Sequence, residues 1–72
     1  MLFPQVKTKI VSQIRDDLGT EFEDIVDRIE ATNSKEEILT VLLDEQMSVS
    51  YALTKCTNEE REWFGKQYRT DS

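Results

Sequence analysis

The chain has 72 residues, a formal net charge of −6, no His, one Cys, two Gly and one Pro. At that length it is one domain, residues 1–72, and its acid excess sets it against generic phosphate binding. No apolar run approaches the roughly 18–20 residues a membrane span needs.

Apolar residues make up 38% of the chain and are spread evenly, which argues for a folded domain despite 33% charged residues. Gly and Pro are too scarce for a turn-rich β fold, and the apolar spacing is helical almost throughout.

The first segment spans residues 4–18. Pro4 suits a first helical position and Gly19 the position after the last turn. Phe3, Val6, Ile10, Val11, Ile14 and Leu18 share one face. Lys7 and Asp17 fall near the ends of that arc and are expected to reach outward to water.

The second segment spans residues 21–31, with Phe22, Ile25, Val26 and Ile29 as its stripe. Thr20 and Glu23 fit a capping box. A second box, Ser34 with Glu37, opens the third segment. Its apolar positions are Ile38, Leu39, Val41, Leu42, Leu43, Val49, Ala52, Leu53 and Cys56. Drawn as one helix over 35–56, they cover a broad arc that suits a central element touched on two sides. Glu45, Gln46 and Ser50 lie inside that arc, so a kink or break near 46–50 is the alternative.

Thr57 and Glu60 form the third box, ahead of a helix over 58–69 whose stripe is Trp63, Phe64 and Tyr68. Acids in its first turn, Lys66 and Arg69 in its last, and a Glu62–Lys66 pair complement the helix dipole. The sum is an all-α bundle of four helices joined by short turns, which favours antiparallel neighbours.

Chemistry is sparsely represented. With no His and one Cys, neither a zinc site nor a His-activated nucleophile is available. Gly19 and Gly65 are isolated, so no Gly-rich loop cradles phosphate. A bundle this small is expected to have little room for a pocket of about 300 Å³ or more. No enzyme activity, cofactor or metal is therefore expected. Cys56 reads as a small buried hydrophobe. A lone Cys, with no charged and apolar blocks in Met1-Leu2-Phe3-Pro4, points to a reducing, cytoplasmic setting.

The charge pattern says more. Residues 1–15 hold Lys7, Lys9 and Arg15 and no acid. Residues 16–30 hold Asp16, Asp17, Glu21, Glu23, Asp24, Asp27 and Glu30 against Arg28 alone. Asp16 and Asp17 stand at a helix carboxyl end, where the dipole disfavours them. Glu23, Asp27 and Glu30 recur at i, i+4, i+7 and repel along one flank. Either the basic first helix neutralises them or they form a docking face for a basic partner. A straight row supplies too few oxygens for calcium.

Tyr51, Trp63 and Tyr68 are the aromatic candidates for a partner contact, since Trp and Tyr are frequent interface anchors. A terminal helix with so few apolar positions is also suited to completing a core across a homodimer.

The leading expectation is a non-enzymatic interaction module that binds and modulates another protein, through Asp16, Asp17, Glu23, Asp27, Glu30, Tyr51, Trp63 and Tyr68. The alternative is a nucleic-acid mimic, because carboxylates one turn apart recur every 5–6 Å or so. A helix-turn-helix DNA binder is the third reading. It fits the short junctions, but only the first helix is basic, and direct nucleic-acid binding is not expected.

Overall fold

A computed structural model of the chain describes residues 2–65. Among them all regular structure is helical: α1 (Phe3–Leu18), a 3₁₀ turn (Gly19–Phe22), α2 (Glu23–Glu30), α3 (Lys35–Asp44), α4 (Val49–Ala52) and α5 (Asn58–Gly65). The expected all-α bundle is present, with its third segment divided in two.

Pro4 starts α1, and the expected stripe faces inward: Val6, Ile10 and Ile14 are fully buried, with Val11 beside them. Lys7 does not reach out to water. Its Nζ donates to the backbone carbonyls of Glu30 (2.8 Å) and Thr32 (3.0 Å), at the end of α2. Carbonyls there lack intrahelical donors and carry the negative pole of the dipole, so an ammonium is drawn to them.

Gly19 ends α1 at φ 73°, ψ −163°. That region is essentially closed to side chains with a Cβ. The chain then passes straight into the 3₁₀ turn. The helix expected from residue 21 therefore starts later: α2 begins at Glu23 with Phe22 as N-cap and no side-chain cap bond. Glu23 thus stands at the first helical position, not the third, and turns to Arg15 instead. Ile25, Val26 and Ile29 are buried as the spacing required.

Of the expected capping boxes, Thr57–Glu60 closes in both directions, while at Ser34 the return bond to the Glu37 carboxylate comes from the preceding residue, Asn33. Ser34 Oγ accepts from Glu37 N at 3.2 Å, and the Glu37 carboxylate accepts from Asn33 N. Thr57 Oγ1 accepts from Glu60 N at 3.1 Å, and Glu60 Oε1 accepts from Thr57 N at 2.9 Å. In α3, Ile38, Leu39, Val41 and Leu42 are buried. Leu43, counted among the apolar positions, is instead 60% exposed.

The break falls at Glu45–Ser48. Gln46 takes φ 58°. Its N–H reaches Leu43 O (3.0 Å), and Met47 N–H reaches Leu42 O (2.8 Å). These two bonds are the Schellman pattern, with Gln46 where Gly usually stands and Met47 packing back on the core. Ser48 then caps α4, its Oγ accepting from Tyr51 N at 3.2 Å.

Beyond α4, Ala52, Leu53 and Cys56 are buried, and Phe64 of α5 is the largest fully buried side chain. Residues 66–69 of the expected last helix, with Tyr68, Lys66 and Arg69, lie outside the described residues.

Candidate interaction surfaces

The acids singled out for breaking local rules are mostly held by distant parts of the same chain. Asp17 accepts from the Tyr51 hydroxyl at 2.7 Å, and Asp16 pairs with Lys55, whose Nζ also reaches Ser12 Oγ. Their place at the unfavourable end of α1 is thus occupied by contacts to α4 and the turn after it. The Asp17 carboxylate also holds the Tyr51 phenol above its usual range.

Along α2, Arg15 Nε lies 3.4 Å from Glu23 Oε2, and Arg15 Nη2 lies 4.0 Å from Glu30 Oε2. One guanidinium on α1 therefore relieves two of the three carboxylates in the row. Asp27, between them, is exposed with no partner among the described residues. Arg28 faces the end of α3, its Nη1 3.0 Å from Asp44 Oδ2 and 2.6 Å from Glu45 Oε2.

Trp63 is half-buried. Lys35 Nζ lies 4.9 Å from its ring centroid and donates to its backbone carbonyl at 2.8 Å. The ring sits 6.4 Å from Phe64, tilted by 59°. Trp63 therefore belongs to the attachment of α5 as well as to the surface.

Glu60 is the buried carboxylate among the described residues. Its Oε1 meets Lys9 Nζ at 2.7 Å and Thr57 N–H at 2.9 Å, and these hold its pKa below the usual carboxylate range. Cys56 is buried too. Burial, with the Glu60 charge nearby, pushes its thiol up. Lys55, its sequence neighbour, is turned to Asp16. A raised thiol pKa leaves little thiolate near neutral pH.

All seven bases among the described residues have internal partners: Lys7, Lys9, Arg15, Arg28, Lys35, Lys55 and Arg61. Arg61 ties α5 to the end of α4 through Leu53 O (3.2 Å), Thr54 O (3.1 Å) and Asn58 Oδ1 (3.0 Å). Glu21, Asp24, Asp27, Glu36 and Glu59 are exposed and lack a partner among the described residues. Asp24 and Asp27 lie opposite the Ile25–Val26–Ile29 stripe. Only Asp27 of these five stood among the sequence candidates. Its neighbours were legible from the same helical wheel, as the acids farthest from the buried face.

Two hollows reach the size a bundle this small was expected to lack. A cleft of about 510 Å³ lies between α4 and α5, with Val49, Leu53 and Gly65 as its apolar part and Asn58, Arg61 and Glu62 around them. A second hollow of about 300 Å³ lies over α1, bordered by Lys7, Val11, Arg15, Asp16 and Glu30. Its charged groups are already paired.

Among the described residues, no three His, Cys, Asp or Glu side chains converge to hold a metal ion. No helix there is long and apolar enough to cross a membrane. Compared with known proteins, the chain matches no family model, no curated protein and no solved structure.

Proposed function

We propose that the protein is a small acidic helical interaction module that binds and modulates another, basic protein without catalysis. One observation carries the reading. The described bases are used inside the fold, while Glu21, Asp24, Asp27, Glu36 and Glu59 are exposed with no partner among the described residues. Pairing does not change the net charge of −6; it leaves the surplus negative charge, and the field it projects, concentrated on these outward carboxylates. Such a field raises the encounter rate with a basic partner and fixes its orientation.

Within this reading the carboxylates divide by role. Asp16, Asp17, Glu23 and Glu30 hold helices together. Glu21, Asp24 and Asp27, on the outer side of the 3₁₀ turn and α2, meet the partner. Aromatic anchoring comes from Trp63 and Tyr51, which are both half-buried.

The test is a pull-down from source-cell extract with immobilised protein, eluted by stepwise salt. The triple variant Glu21→Gln, Asp24→Asn, Asp27→Asn is run in parallel. A basic protein retained by the native chain and lost by the variant supports the proposal. Equal retention by both removes the acidic face from the account. Release of the captured protein by competing duplex DNA would favour nucleic-acid mimicry instead.

A further inference from the structure

The link between α3 and α4 combines two properties rarely found together. It contains the one non-glycine residue with positive φ among the described residues, Gln46 at 58°. Yet nothing in its covalent chemistry forbids a helix, since no Gly or Pro occurs from 35 to 56. Left-handed backbone is unfavourable for a residue with a Cβ, and Gln is a good helix former. The break is therefore imposed by what lies beyond it.

What lies beyond is a separable unit. The segment 49–65 reaches the rest of the fold through Ala52, Leu53, Cys56 and Phe64 in the core. At its surface it is held by Tyr51 on Asp17, Lys55 on Asp16, Lys9 on Glu60 and Lys35 on Trp63. Every one of these contacts joins a group after the link to a group before it. None depends on the two groups belonging to the same chain.

We infer that a second copy of this chain is a partner, reached by exchange of the segment 49–65. In the exchanged dimer residues 45–48 continue α3 as one helix into α4. Gln46 returns to right-handed backbone. Each copy's α4 and α5 pack on the α1–α3 of the other, recovering the same buried side chains and ion pairs. Strained short links are the usual setting for such exchange. Closure within one chain is favoured at low concentration, because the exchanged form must bring two chains together.

The experiment uses the full chain, refolded from denaturant at micromolar and millimolar concentration and sized by light scattering. Gln46→Gly relieves the strain without opening the link, and Gln46→Ala favours the straight helix. The native chain is expected to give a dimer fraction after refolding at millimolar concentration. Gln46→Ala is expected to dimerise at least roughly tenfold more tightly than Gln46→Gly, through the helix preference of Ala over Gly. In dimers of mixed isotope-labelled and unlabelled chains, nuclear Overhauser effects are expected between α1 of one chain and Ala52 of the other.

Monomers at every concentration for both the native chain and Gln46→Ala would overturn the inference. So would a dimer whose inter-chain contacts lie at surface residues such as Leu43 and not between α1 and α4. Circular dichroism checks that each variant folds, and the mixed-label measurement on the native chain stands without either substitution.

Discussion

Lys9 of α1 and Glu60 of α5 meet at 2.7 Å across 51 positions of sequence, and the same Glu60 oxygen accepts the Thr57 N–H. A helix cap is thereby also a tertiary joint: one carboxylate starts α5 and fastens it to α1. Its folded-state pKa is lowered, first by the Lys9 hydrogen bond and then by the Thr57 backbone N–H. A lowered pKa means that the folded state binds the proton less readily than the unfolded one. The stabilisation is then present above the unfolded value, about 4.3, and is lost as pH falls through the folded value. Glu60→Gln should lower the Tm at pH 7 and do so much less near pH 3. Melts at the two pH values check this, and an equal deficit at both would contradict it.

Gln46→Gly should stabilise the closed monomer by about 0.5–1 kcal/mol, a rise in Tm of a few degrees. The gain is the left-handed penalty removed at the Schellman position, less the extra freedom Gly has when unfolded. Urea unfolding measured at low micromolar concentration reads it without interference from association.

Gly19→Ala should do the reverse. Space is not the obstacle, since a Cβ at Gly19 would meet nothing within 4 Å. The backbone is: φ 73° with ψ −163° costs a residue with a Cβ about 1–3 kcal/mol. Urea unfolding should show that loss with the slope unchanged.

Leu42→Ala tests the core. Leu42 is fully buried on α3, among the side chains of the central cluster. Truncation should cost about 2–5 kcal/mol, the spread reflecting how far the cavity collapses. Leu43→Ala, one position on and exposed, should change stability by less than about 0.5 kcal/mol. The contrast between neighbours checks the rotation of α3 about its axis.

These residues also mark what sequence alone could reach. The inward stripes of α1 and α2, and the caps at Ser34 and Thr57, were legible because periodicity and capping act over three or four positions. The break at Glu45–Ser48 was legible only as an alternative. It is made by a left-handed Gln46, where Gly would have announced the turn, and is imposed by the packing of Met47 and the segment after it on the core. Asp16 and Asp17 read as unfavourable because their partners, Lys55 and Tyr51, lie 39 and 34 positions away. The start of α2 was displaced for a related reason. Gly19 commits the backbone to a 3₁₀ turn, and α2 begins only at Glu23. Local rules were overridden wherever a contact between distant positions supplied more.

The division of the acids into internal and outward groups can be tested in one paired measurement of Tm and salt-stepped capture. Asp16→Asn with Asp17→Asn should lower the Tm and leave capture of a basic partner largely intact. Glu21→Gln with Asp24→Asn and Asp27→Asn should leave the Tm unchanged or slightly raised and abolish capture. The opposite pattern, with stability lost in the triple variant and capture lost in the double, would contradict the account.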